Sequence, residues 1–180
     1  GMWAQDCGCV GCPLEIRQNQ LSYELCYEVA NVDNDDLSNR RQGVCQIDLE
    51  FEHFSAKNLE ISLRSPDNQL VQLVGDYIPT GLTTTIATTF NVSFVPGGDS
   101  AFPDPGNAAI WSNEDFDAAG VAYSGSYYPY ADNLELFNTG SVNGTWCLEI
   151  TNNGAPATGF NGKIIDFNIE FCDQEGRDCC

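Results

Sequence analysis

The chain has 180 residues, enough for one domain with its own hydrophobic core. Its 7 Lys+Arg stand against 26 Asp+Glu, a net charge of −19. That field repels phosphate backbones and anionic membrane surfaces, so nucleic acid is excluded as a partner, and cations, calcium above all, are the complementary ligands.

Nine cysteines (Cys7, Cys9, Cys12, Cys26, Cys45, Cys147, Cys172, Cys179 and Cys180) are too many for a reduced cytosolic domain of this size. They predict disulfides and an oxidising compartment, hence a secreted or cell-surface protein. No charged segment followed by an apolar one precedes the body, so export implies a leader already removed. No run approaches the ~20 apolar residues of a membrane span, and no direct membrane insertion is expected.

In chain order, residues 1–20 hold three cysteines and read as a stapled edge or linker, residues 21–172 as the body and 173–180 as a tail. Within LSYELCYEV, period two places Leu21, Tyr23, Leu25 and Tyr27 on one face. In QIDLEFEHF, Ile47, Leu49, Phe51 and His53 share a face opposite Asp48, Glu50 and Glu52, the pattern of a half-buried strand. NLEISLRS turns Leu59, Ile61 and Leu63 inward, TWCLEIT does so with Trp146, Leu148 and Ile150, and IDFNIEF with Ile165, Phe167, Ile169 and Phe171. Turn signals separate the runs at Ser65-Pro66-Asp67-Asn68, Pro96-Gly97-Gly98, Asn143-Gly144, Asn153-Gly154 and Asn161-Gly162. No helical period emerges, and the expected fold is all-β: an antiparallel, jelly-roll-like β-sandwich. Residues 96–133, rich in Gly, Pro, Asp and Tyr, are expected to be long loops with at most one strand.

Three groups of residues could carry chemistry. His53 is the single histidine; on an inward face just before a turn, it is expected to hydrogen-bond the turn backbone rather than act as a base. No serine sits in a nucleophile-elbow setting, and the two histidines of a zinc-hydrolase helix are missing. The acidic loops carry carboxylates two residues apart, and Asp99, Asp104, Asp115 and Asp117 are the favoured calcium ligands, against a reading as solvated turns. In the same segment Trp111, Tyr123, Tyr127, Tyr128 and Tyr130 either contact a protein or glycan or pack as a cap on the sandwich. Cys26, Cys147 and Cys172 fall on the outward parity of their strands, where neighbouring pairs can be bridged, while the N-terminal trio is expected to be tied to the body or to the C-terminal cysteines.

The run GVCQIDLEFEHFSAKNLEISLRSPDNQLVQLVG resembles the P domain (homo-B domain) that follows the catalytic domain of kexin- and furin-like proprotein convertases and accompanies many secreted bacterial proteases and surface proteins. NGTWCLEITNNGAPATGFNGKIIDFNIEF resembles its closing hairpin, and FDAAGVAYSGSYYPYADNLELF its intervening elements. The resemblance covers roughly residues 44–171 and assigns framework positions to His53, Leu59, Ser65, Pro66, Gly144, Trp146 and Leu148. Lys57-Asn58-Leu59 stands where the pattern has Gly-Asp-Leu, and Asn68 where it has Gly.

The resemblance implies a non-catalytic module of a secreted or cell-surface bacterial protein, stabilising an adjacent protease domain or binding protein or glycan. Its contribution to serine-type proteolysis would run through the parent chain. A stand-alone adhesion or carbohydrate-binding module is the alternative, and a hydrolase in its own right the third.

Overall fold

The computed structural model describes residues 9–17, 21–79, 86–97, 108–116, 118–153 and 160–178, with the backbone alone at residue 160. Over these residues the chain forms β1 (Leu14–Arg17), β2 (Ser22–Val29), β3 (Val44–His53), β4 (Leu59–Arg64), β5 (Leu70–Val74), β6 (Thr88–Phe94), β7 (Ala109–Ile110), β8 (Ala122–Tyr128), β9 (Gly144–Asn152) and β10 (Phe160–Phe171). One sheet has the order β1-β10-β3-β6-β8-β7 and the other β2-β9-β4-β5. The two pack face to face as an all-β sandwich, with single 3₁₀ turns at Ala56–Asn58, Asn113–Asp115 and Leu134–Phe137.

Alternation decides which side chains fill the space between the sheets. Ile47, Leu49, Phe51 and His53 of β3 are buried, as are Leu59, Ile61 and Leu63 of β4 and Trp146, Leu148 and Ile150 of β9. Two expected faces need correction. In β10 the register shifts between Ile164 and Asp166, so Ile164 enters the core and Ile165 does not; Phe167, Ile169 and Phe171 then resume the inward row. Leu21 precedes β2 and is 64% exposed. Tyr23 and Tyr27 are only half-buried because β2 is an edge strand, while Leu25 and Val29 supply its core contacts.

The sandwich is antiparallel except at one end, where β8 runs parallel to both β6 and β7. Two-residue hairpins join antiparallel neighbours, whereas a parallel pair needs a crossover of a dozen or more residues. The stretch between Phe94 and Ala122 provides that crossover, so the segment expected to be loops contributes two strands to the larger sheet.

The described parts of both end segments are tied to the body. Ile16 of β1 is fully buried and β1 pairs with β10, so a boundary after residue 20 would cut a strand from its sheet. The C-terminal residues bridge back, Asp178 to Ala30, and the Asp33 N–H donates to the Glu175 carbonyl (2.9 Å). Gln42, buried, holds the same segment: its Nε2 donates to the carbonyls of Asn34 (2.7 Å) and Asp173 (2.8 Å), and its Oε1 accepts from the N–H groups of Gly43 and Asp173 (3.0 Å each).

Three disulfides close among the described residues: Cys26–Cys147, Cys45–Cys172 and Cys9–Cys12. The first joins directly opposed residues of β2 and β9; the second ties β3 to the residue after β10. In the chain-entropy model, loops of these sequence separations, 121 and 127 residues, are worth about 5 kcal/mol each, against about 2 kcal/mol for a separation of 3. The expectation that Cys9 and Cys12 are bonded to the body or to the C-terminal cysteines is corrected, since they are bonded to each other. Cys7, Cys179 and Cys180 lie outside the described residues.

Candidate functional site

His53 ends β3 at full burial. The Ser55 N–H donates to its Nδ1 (2.9 Å), which fixes the neutral tautomer with the proton on Nε2, and Nε2 lies 3.2 Å from Asn152 Oδ1. The Asn152 amide in turn donates from Nδ2 to Asn161 Oδ1 (2.8 Å). Burial without a charged partner pushes the imidazole down from 6.5 to about 4, since removal from water disfavours the cation more than two hydrogen bonds support it. Both ring nitrogens are therefore committed to structure, and the ring is neutral at physiological pH. Strands β10 and β3 can close around this group because position 162 is glycine: a Cβ there would overlap the Glu52 carbonyl oxygen and the His53 backbone.

The neighbouring positions are turn and wall. Ser65 is buried and its Oγ accepts from the Gln69 N–H (3.1 Å), while Asn68 takes φ 65°, the left-handed conformation that Asn tolerates. Pro66 packs where Gly144, at φ 134°, leaves no room for a Cβ. Trp146 is buried and its Nε1–H donates to the Val142 carbonyl (2.8 Å). Asn58 is buried with an amide oxygen that has no hydrogen-bond partner.

The aromatic segment is mostly a wall. Trp111 has no exposed surface, so it cannot touch a ligand, and its assignment as a contact residue is corrected. It lies against Phe116 (ring centroids 4.3 Å), Tyr127 (5.1 Å) and Phe90 (5.6 Å). Tyr123 packs on Phe116 and Phe90, and Tyr130 fills the space that a Cβ at Gly75 would need. Tyr123, Tyr127, Tyr128 and Tyr130 keep only part of their surface in solvent. Burial, with the Asp115 carboxylate nearby, holds the Tyr127 hydroxyl above its ordinary value.

Asp115 is exposed in the Asn113–Asp115 turn. Asp99, Asp104 and Asp117 lie outside the described residues. Among the described residues, the only His, Cys, Asp or Glu groups of three that converge are Cys9, Cys12 and Asp166, and Glu24, Cys26 and Cys147. In each the cysteines are a disulfide, which offers no thiolate to a metal, and Asp115 belongs to neither.

Three buried amides organise the site beyond the residues expected to do so: Asn113, Asn152 and Gln42. Asn113 accepts from the Trp111 Nε1–H (2.8 Å) and donates to the carbonyls of Leu59 and Asp76 (2.9 Å each), locking the crossover onto β4. Asn152 had a usable signal, because it continues the inward parity of Trp146, Leu148 and Ile150. Asn113 and Gln42 sit in irregular backbone, where parity says nothing.

Comparison of the sequence with models of known families and with curated proteins gives no match.

Proposed function

We propose that this sandwich is a non-catalytic, P-domain-like module of a secreted or cell-surface bacterial protein, which stabilises an adjacent protease domain or offers a binding surface to protein or glycan. The observation that carries the non-catalytic part is the state of His53. A general base needs an accessible nitrogen and an ordinary affinity for protons, and this ring offers neither. Three disulfides fit an extracellular setting, and no helix among the described residues is long and apolar enough to cross a membrane. The assignment to a P domain rests on the resemblance of residues 44–171, and the role beside a protease follows from it.

Calcium in the 99–117 segment belongs to this reading on the strength of net charge and of exposed Asp115. A melting curve in millimolar calcium should then lie above the one in chelator, and coincident curves would remove calcium from the reading.

Purified protein should show no turnover of casein, peptide-anilide or glycan substrates, and His53→Ala should lower its melting temperature without altering that baseline. Hydrolysis that disappears in a folded His53→Ala variant would refute the reading. A partner role is tested by expressing the chain behind its upstream neighbour. Removal of residues 9–178 should shorten the neighbour's thermal half-life if the module stabilises it.

A further inference from the structure

The Cys9–Cys12 disulfide differs in kind from the other two. Cys26–Cys147 and Cys45–Cys172 weld strands, whereas Cys9-Val10-Gly11-Cys12 closes a ring of four residues that adds little constraint to the unfolded chain. The segment is held in place without it. The Cys9 N–H donates to Asp166 Oδ1 (3.0 Å), Cys9 and Cys12 pack against the hydrophobic core, and two residues after Cys12 the chain enters β1.

What the ring does have is access and a proton acceptor. Both cysteines are half-buried, and the contact of Cys9 Sγ with the Val10 carbonyl (3.7 Å) is solvent-exposed. A carboxylate oxygen of Asp166 and the two sulfurs all lie within 4.8 Å of one another. Val10, between the cysteines, is 75% exposed, an apolar contact beside the sulfurs for an unfolded peptide. The β1–β10 pairing stops at Leu14–Ile164, so among the described residues no strand pairs with β10 beside Asp166 on that edge.

We propose that Cys9–Cys12 is a dithiol–disulfide exchange centre acting on thiol pairs of unfolded peptides, with Asp166 as the proton acceptor that serves its sulfurs. A peptide thiolate attacks Cys9 Sγ, forming a mixed disulfide and breaking the Cys9–Cys12 bond. Cys12 Sγ leaves with the electron pair and takes up a proton. The second peptide thiolate attacks its own mixed-disulfide sulfur, and Cys9 Sγ leaves and is protonated. Two electrons and two protons have then passed from the peptide dithiol to Cys9 and Cys12. A small-molecule disulfide reverses the balance by accepting them, being reduced to two thiols while Asp166 takes the proton from Cys12 as its sulfur attacks.

The test uses the full chain, a reduced synthetic peptide carrying two cysteines and an oxidised glutathione buffer, with each disulfide followed by mass-spectrometric mapping. Cys9–Cys12 should be reduced by the peptide at least tenfold faster than Cys45–Cys172. With the peptide offered instead as its disulfide, Cys12→Ser should hold it on Cys9 as a mixed disulfide that no second protein thiol resolves, and the Cys9→Ser/Cys12→Ser double variant should melt closer to the parent than Cys45→Ala with Cys172→Ala does, yet show no exchange at these positions. Equal reduction rates for the two disulfides, or no trapped peptide on Cys12→Ser, would overturn the proposal.

Asp166→Asn separates proton transfer from simple charge. Reoxidation of the dithiol should slow severalfold near pH 7, and the gap should close as pH rises past the thiol range. The groups that also bear on this carboxylate are Glu50, its opposite number on β3, and Tyr27 of β2, whose hydroxyl feels its charge. Their effect is common to both proteins. A faster Asp166→Asn variant would mean that the carboxylate only opposes the thiolate, and it would remove Asp166 from the mechanism.

Discussion

The two flanks of the larger sheet are held together by different means. On one flank β10 and β3 pair antiparallel over most of their length, joined by Cys45–Cys172 beside one end and by the His53–Asn152–Asn161 knot at the other. On the other, β6, β8 and β7 run parallel after a long crossover, and among the described residues no disulfide reaches them. Their bond is a cluster of rings centred on Trp111, a side chain carried in by the crossover itself and pinned through Asn113. Where neighbours in the sheet are also joined by covalent or hydrogen-bonded links, register needs little from side-chain volume; where they are not, one large residue must supply it.

The sharpest way to break the comparison is to remove that residue. Trp111→Ala should cost roughly 4 kcal/mol, from the cavity and from the Asn113 oxygen left without its donor. Amide exchange should show β8 opening before β10, and uniform loss of protection would contradict the division into flanks.

On the opposite flank, Cys45→Ala with Cys172→Ala should cost about 2–5 kcal/mol, acting through the unfolded chain. Denaturant melts would register this as a lower midpoint while the exchange pattern of β6 and β8 stays as it was.

Acid offers a milder and reversible test. The folded-state affinity of His53 for a proton lies below its unfolded value, at about 4 against 6.5, so the unfolded chain binds the proton first. The stabilisation is present in full above pH 6.5 and is lost as pH falls towards 4, about 3 kcal/mol in all. Between these limits the slope of stability against pH should flatten in His53→Ala. The amides of Ser55 and Phe54, which sit on the knot, should lose protection ahead of Trp111.

The legible parts of this molecule are those in which one face of a strand is buried and the other wet. There a period of two betrays the strand, and β3, β4 and β9 could be drawn from the positions of Ile47, Ile61 and Leu148 alone. His53 was legible for the same reason, standing on an inward row with a turn directly after it. Strand β8 was not, because AYSGSYY leaves both faces partly exposed and its sequence carries no contrast. The bulge at Ile164–Asp166 inverts parity without any marker residue. Trp111 stands between the exposed two-residue strand Ala109–Ile110 and a turn, so nothing in the local pattern says that the whole ring cluster gathers on it. Cysteine pairing depends on which strands become neighbours, and that information resides in the three-dimensional arrangement rather than in the spacing.

The two interstrand disulfides also decide how the molecule would carry tension. A pull on the N-terminal side reaches Cys26 and there divides, either along residues 26–45 or across to Cys147 and on through β9 and β10. Both branches meet again at Cys172, because Cys45 is bonded to it. Residues 46–146, which hold β4, β5, β6, β7 and β8, hang from this covalent frame as a side loop that bears no load. Stretching the ends can strip β1 and the C-terminal hook around Gln42, and then lengthen the frame, but contour length stored in the side loop is released only when a disulfide is cut. A reducing agent would therefore act on this protein as a mechanical release, converting a short, stiff link into one several times longer.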